Sequence, residues 1–314
     1  MTKGSIRVVK HKLPVFGAIL VEPVQGEGGV YCLDDDDAKM LHHCRDLLDC
    51  PLIADEVQSG LGRCGSFLAG SQIGLQPDYI VLSKALGGGV AKIGVVAIRR
   101  SVYVDGFDLI QSSTFGEDDF STTIALAVVQ MLTREDQALI KRTTKLGASL
   151  KNSLVELQQK YPDIIQDVRG KGLLLGVQFT DQSNAHSHII KTMGYQGGIG
   201  YLITGYLLNE KNIRVAPPAS AGDVMRIEPT IDLKEEQIKH LLESLDDFCK
   251  ALRYQDSFYI LRFLFQDRTE RDKNVIYPTD YRAAYDDIST DSPDFSSEKN
   301  VTKVAFINHL ISAD

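Results

Sequence analysis

Three short apolar runs early in the chain each end on an ionisable residue: Phe16 to Val21 before Glu22, Leu52 to Ala54 before Asp55, and Tyr79 to Ser83 before Lys84. Unbroken apolar runs of this length predict parallel strands buried on both faces. The terminal charges are 33 and 29 residues apart, close to the ~30 residues that a strand, a crossover helix and a return strand occupy. The first crossover is a predicted helix: Asp34 to Asp37 supply an N-cap and first-turn carboxylates, and Met40, Leu41, Cys44, Leu47 and Leu48 recur at helical spacing. Open α/β sheets bind ligands beyond the carboxyl ends of their strands, where this pattern places Glu22, Asp55 and Lys84. One strand-end charge alone reads as a solvated loop residue; three in register point to a ligand.

Beyond Gly87-Gly88-Gly89, the run Ile93 to Ile98 predicts another strand, and Gln111 to Asp119 a polar turn. Ile124 to Leu132 is mostly apolar and predicts a buried helix. Leu139, Leu146, Leu150, Leu154 and Leu157 mark one face of an amphipathic helix ending near Pro162. Composition then changes. Val168-Arg169-Gly170-Lys171-Gly172 opens a second unit with a strand over Leu173 to Phe179, a helix over Gly200 to Asn209, a strand over Val224 to Ile227 and a closing helix over Leu233 to Leu252. The chain thus divides into 1–165, part of a large α/β domain with a mainly parallel sheet; 166–252, a small α+β domain; and 253–314, an extension. The extension holds an aromatic-rich run (Phe258 to Phe265), a charged stretch (Gln266 to Asn274), a polar linker (Asp286 to Asn300) and a strand-like run (Val304 to Ile307) that resembles the start of a further domain.

Composition narrows the function classes. Lys plus Arg number 34 against 42 Asp plus Glu, a formal charge of −8 with no basic block, so nucleic acid is not an expected partner. Five cysteines without a CxxC pair argue against a disulfide framework or a zinc ribbon. No apolar stretch reaches the roughly 18 residues of a membrane helix, and Met1 to Lys10 lacks a signal-peptide core; the protein is read as cytoplasmic. His42 and His43 are adjacent and cannot share a metal, and His186 and His188 lack a third ligand at suitable spacing, so no metal site is expected. A formal GxGxxG at Gly60, Gly62 and Gly65 sits five residues beyond its strand and precedes a poor helix opening, which argues against a dinucleotide fingerprint. GxSxG and GxxxxGK[ST] are absent.

What remains is an acid, a second acid with an amide, and a lysine near strand ends. A lysine flanked by Leu82 and Ala85 would be partly desolvated, favouring the neutral amine that attacks a carbonyl. A carboxylate at Asp55 could keep a pyridinium nitrogen protonated, as pyridoxal phosphate requires to act as an electron sink. On spacing alone, an ordinary strand-end lysine is the simpler reading.

The motifs Glu22-Pro23-Val24-Gln25-Gly26-Glu27-Gly28-Gly29, Ala54-Asp55-Glu56-Val57-Gln58-Ser59-Gly60, Pro77-Asp78, Ser83-Lys84-Ala85-Leu86-Gly87-Gly88 and Ser113-Thr114-Phe115-Gly116 occur in this order. Over about residues 15 to 250 the chain resembles the class III pyridoxal-phosphate-dependent aminotransferases, in particular their C-terminal part. The resemblance implies the type I fold of such transferases and a small-molecule amino donor and oxo acceptor. It further implies that Lys84 forms the Schiff base, Asp55 pairs with the pyridine nitrogen and Gln58 contacts the phenolic oxygen. Thr114, with Ser113, would hold the cofactor phosphate of a neighbouring subunit, hence a homodimer. Glu22 matches an acid beside the cofactor, Arg226 the arginine that takes a substrate carboxylate, and Glu27 the acid that can gate it. Two departures stand out. About twenty residues precede the Glu-Pro motif where the family has a phosphate-binding segment, and Glu117-Asp118-Asp119 follow the Ser-Thr-Phe-Gly turn. They keep open the alternative of a catalytically silent subunit acting through dimerisation.

Overall fold

The computed structural model describes residues 16–110, 114, 116 and 118–264. Ser113, Phe115 and Glu117 of the polar turn and the charged, linker and strand-like runs predicted from Gln266 onward lie outside the described residues.

Strand β1 (Ile19–Val21) leads into a two-stranded hairpin, β2 (Val24–Gln25) and β3 (Tyr31–Cys32), and then into helix α1 (Asp35–Leu48). Asp34 caps α1 as its spacing predicts. Its carboxylate accepts the Asp36 and Asp37 N–H groups at 2.9 Å, and Asp37 returns a bond to the Asp34 N–H at 3.0 Å. Strands β4 (Leu52–Asp55), β5 (Tyr79–Leu82) and β6 (Val95–Ile98) complete a sheet of order β1-β4-β5-β6. The first three strands are parallel, with Ile19 opposite Leu52 and Ile53 opposite Tyr79, whereas β6 runs antiparallel to β5. The short link from β5 to β6 contains no crossover helix, which disfavours a parallel return.

The expectation that these strands are buried on both faces is corrected. Ala38 and Leu41 of α1 pack with Ile19, Val21, Leu52 and Ala54 on one face. Side chains alternate along a strand, so Leu20 and Val96 point the other way and remain 64% and 54% exposed.

Helix α2 (Phe107–Ile110) precedes α3 (Asp119–Lys160), which is interrupted where Glu135, Asp136 and Gln137 adopt positive φ. The break separates the two predicted helices. The first is less buried than its composition suggests: Ala125 and Leu132 are buried against Leu61 and Leu86, while Leu126 and Met131 are exposed. In the second, the buried stripe is Ile140, Thr143, Gly147, Leu150, Leu154 and Leu157.

The small unit is an antiparallel sheet of β7 (Ile165–Lys171), β8 (Leu174–Phe179) and β9 (Val224–Ile227). The sequence pattern missed β7, because the polar residues Gln166, Asp167, Arg169 and Lys171 interleave with the buried Ile165, Val168 and Gly170. Helices α4 (His188–Tyr195), α5 (Ile199–Lys211), α6 (Glu235–Arg253) and α7 (Ser257–Leu261) follow in chain order around β9. Of these, α4 and α7 are too short to show a period. Phe248 of α6 joins the small sheet to α5 through edge-on packing on Phe179, centroids 5.8 Å apart, and a tilted contact with Tyr206 at 5.6 Å.

Backbone contacts tie the strand-end loops to the small sheet. Leu173 N–H donates to the Arg63 carbonyl at 2.9 Å, and the Arg63 guanidinium donates to the carbonyls of Leu173 at 3.2 Å and Pro229 at 2.6 Å. Arg169 donates to the Gly29 carbonyl at 2.7 Å and stacks over Tyr31 at 3.9 Å.

Candidate active site

The loop after β4 is organised by Glu56, a residue the sequence reading passed over. Its carboxylate is buried and accepts the Ser59 hydroxyl at 2.5 Å and the N–H groups of Ala69 at 3.1 Å and Gly70 at 2.7 Å. Buried charge is tolerated because three donors satisfy it. Glu56 thereby fixes the turn carrying Gln58, and Gly60, Gly62 and Gly65 belong to that same turn rather than to a helix opening.

Asp55 ends β4, and its Oδ1 accepts the Val57 N–H at 3.0 Å. Lys84 lies just past β5. Its φ of 43° is left-handed, uncommon for a residue with a β-carbon and characteristic of positions held for function. The strain is held locally: the Ser83 hydroxyl donates to the Ile93 carbonyl at 2.7 Å, and Leu86 is buried in the α3 cluster. The apolar seclusion predicted from Leu82 and Ala85 is not observed. Leu82 turns into the core with Leu86, whereas Lys84 is exposed and its ammonium donates to Gln58 Oε1 at 2.8 Å.

From Lys84 a chain of polar contacts crosses to the small sheet. Gln58 Nε2 donates to Glu228 Oε1 at 2.7 Å; Glu228 Oε2 pairs with Arg226 Nε at 2.9 Å; Arg226 Nη1 donates to Glu27 and to the Gly26 carbonyl at 3.1 Å. Glu27 also accepts the Ala219 N–H at 2.8 Å. That backbone bond, with the pairing to Arg226 and the charge of Lys84, holds the Glu27 carboxyl below its ordinary value of 4.5 against the opposing effect of burial. Burial pushes the Arg63 guanidinium down, and neighbouring Glu228 opposes this.

Lys84, Gln58, Arg226 and Glu27 are therefore brought into one network. Glu22 accepts the Gly26 N–H at 3.0 Å and so braces the turn that carries Glu27. Thr114 lies exposed in a turn, and Ser113 is outside the described residues. Glu228 was missed by sequence reasoning. Its signal was available: a charge two residues after Arg226 at a strand end shares the arginine's side of the strand. A cavity of about 580 Å³ adjoins the same strand end, with Arg226, Glu228, Arg214 and His240 in its wall.

Two predictions arise here. A β-carbon on Gly26 would lie 2.3 Å from Gln58 Oε1, so Gly26→Ala should displace the amide and break its bond to Lys84 with little loss of stability, read as a changed Lys84 environment by amine-selective ¹⁵N NMR. Glu27 has a lowered folded-state pKa, so its contribution to stability is complete above 4.5 and lost as pH falls through the lowered value. Glu27→Gln should flatten the stability curve in that acid range and leave its slope near neutrality unchanged, measured by urea titration at a series of pH values.

An α/β sheet with a strained lysine, an acid and an amide at its strand ends, joined to a small antiparallel sheet, is the type I fold of pyridoxal-phosphate-dependent transferases. Residues 5–248 match the family described as Aminotransferase class-III, and the chain belongs to that family. Solved structures agree. The ornithine δ-aminotransferase of Plasmodium falciparum is 27% identical with a TM-score of 0.61, over 74% of this chain and 56% of that one. An ornithine aminotransferase from Toxoplasma gondii is 30% identical with a TM-score of 0.61, over 76% and 51%. The acetylornithine aminotransferase of Elizabethkingia anophelis is 29% identical with a TM-score of 0.58, over 74% and 54%. The chain spans about half the length of these relatives. Among the described residues, no helix is long and apolar enough to cross a membrane.

Proposed function

We propose that the protein is a pyridoxal-phosphate-dependent aminotransferase that moves an amino group between a small-molecule amino donor and an oxo acid or aldehyde. The observation that carries this reading is the contact of Lys84 with Gln58 at the ends of the adjacent parallel strands β5 and β4, with Asp55 closing β4 just before the Gln58 turn. An amine, a carboxylate and an amide suit a pyridine aldehyde bearing a phenolic oxygen, and family membership supports the same group. The related Toxoplasma gondii enzyme has pyridoxal phosphate at its active site, in partial occupancy.

Bound there, the cofactor supplies an electron sink. Lys84 is the amine that holds its aldehyde carbon and afterwards moves the proton at the substrate carbon. Asp55 keeps the ring nitrogen protonated. Gln58 orients the phenolic oxygen and, through Oε1, the Lys84 amine. Glu22 supports the turn facing the cofactor, and Thr114 with Ser113 serves the phosphate across a homodimer interface. We further propose a cytoplasmic protein divided at 165/166 and 252/253.

Absorption of the purified chain with added pyridoxal phosphate, followed by borohydride reduction and peptide mapping, tests the proposal. A visible band with label at Lys84 is the expected result. No band, or label scattered over surface lysines, overturns it and supports the alternative of a catalytically silent subunit acting through dimerisation.

A further inference from the structure

We infer that Arg169 is a positioning residue of the active site: held between the turn at residues 26–30 and the loop at 218–223, it fixes where Glu27 rests against Arg226. The functional consequence rests on the aminotransferase reading above, in which Glu27 controls access to Arg226. The placement itself does not depend on that reading.

Arg169 reaches both segments at once. Its Nε donates to the Gly29 carbonyl at 2.7 Å, and its Nη1 donates to Asp167 at 2.9 Å and to Gln178 Oε1 at 2.6 Å. Gln178 Nε2 carries the connection to Asp223, at the end of the loop, at 2.8 Å. The two segments meet at Gly29 and Ala221: a β-carbon on Gly29 would lie 3.1 Å from the Ala221 β-carbon and 3.3 Å from Arg169 Nη2. Glu27 bridges the same two segments. Its carboxylate accepts the Ala219 N–H of the loop at 2.8 Å and the Arg226 guanidinium, and its carbonyl accepts the Ser220 N–H at 3.2 Å.

The turn is strained and needs holding. Val30 has a φ of 64°, a left-handed conformation that a β-branched residue rarely adopts and that surrounding packing must offset. Val30 is fully buried over Gly176, where a β-carbon would come within 3.0 Å of its own. Gly176 in turn lies opposite Arg169 in the β7–β8 register, so Arg169, stacked on Tyr31, closes the neighbouring side of the turn. Stability alone does not account for an arginine here. Its side chain is only 12% exposed, and Nη2 is buried with no hydrogen-bond partner among the described residues, a cost that an apolar residue of similar volume would avoid. What the rigid guanidinium supplies, and an apolar side chain cannot, is a fixed distance between acceptors on different segments.

Titration of the Glu27 carboxyl, followed by ¹³C NMR in the full chain, tests the inference. The Ala219 N–H, Arg226 and Lys84 hold that carboxyl below 4.5. Arg169 is not among these groups, so it can shift the midpoint only by moving Glu27. Arg169→Met should raise the midpoint toward 4.5, and Arg169→Lys, which keeps the charge but not the planar fork, should raise it as well. Lys151→Met removes a cation bonded to the adjacent Gly170 carbonyl at 3.0 Å and should leave the midpoint where it is. Far-UV circular dichroism establishes which variants fold; if Arg169→Met does not, Arg169→Lys decides, and if neither folds Arg169 is a stability residue and the inference fails. An unmoved midpoint in a folded Arg169 variant, or an equal rise in Lys151→Met, also overturns it. Borohydride labelling with pyridoxal phosphate on wild type separates the two failures: the expected rise without label at Lys84 sinks the aminotransferase reading alone, and label at Lys84 with an unmoved midpoint sinks only the role of Arg169.

Discussion

Replacing Lys84 with alanine should abolish both the visible band formed with pyridoxal phosphate and any transfer of amino groups. Among the described residues, Lys84 is the amine bonded to Gln58 Oε1, and Gln58 Nε2 is directed to Glu228. The rate loss should exceed about a thousandfold, as for removal of a nucleophile that also transfers the proton. Stability should not fall with it. Lys84 is exposed and holds a left-handed φ of 43°, so truncation removes one surface hydrogen bond while alanine inherits the same backbone strain. Lys84→Arg should behave like alanine despite keeping the charge, because a guanidinium does not deprotonate at working pH. Transamination retained by either variant would remove Lys84 from the chemistry. Unfolding of Lys84→Ala would show that its part is structural.

Gly172→Ala should be strongly destabilising, by about 3–5 kcal/mol. Two costs coincide. Gly172 has a φ of 55°, where a β-carbon is penalised by roughly 1–2 kcal/mol. A β-carbon there would also lie 2.5 Å from the Cys64 carbonyl carbon and 2.6 Å from the Arg63 carbonyl oxygen, both backbone atoms that no rotamer change can move. Relief would require parting the loop after β4 from the β7–β8 turn, and with it the Arg63 bonds that bring Glu228 toward Gln58. Gly74→Ala is the internal comparison: φ is 66° and nothing lies within 4 Å of its added carbon, so it should show the backbone cost alone. Urea unfolding of the two variants against wild type measures the difference. Equal midpoints for the two would mean that the loop and the turn yield freely.

Much of this architecture was legible along the chain because its cause is local. Runs such as Leu52 to Ala54 announce strands by being apolar, Asp34 to Asp37 announce a helix start by capping it, and Val224 to Ile227 was bounded correctly by its neighbours. Strand β7 escaped because its interleaved charged residues masked a buried pattern of only three residues, Ile165, Val168 and Gly170. Burial on both sheet faces was over-read from composition: apolarity states what a residue tolerates, while cover depends on which helices pack against it, and Leu20 and Val96 stay exposed.

The site divides in the same way. Glu22, Asp55, Gln58 and Lys84 were legible as an acid, a second acid with an amide, and a lysine near strand ends, whereas Glu27 and Arg226 were named only through the family resemblance. Tertiary structure alone decided how they are connected. It turned Lys84 out of its apolar flank onto Gln58, and it placed Glu228 between Gln58 and Arg226 across 170 residues of chain. It also buried Glu56 under three donors, two of which, the Ala69 and Gly70 N–H groups, sit in no motif. The physical reason is that charge pairing and burial depend on distances between segments remote in sequence, whereas helix caps, strand runs and motif chemistry depend on neighbours a few residues away.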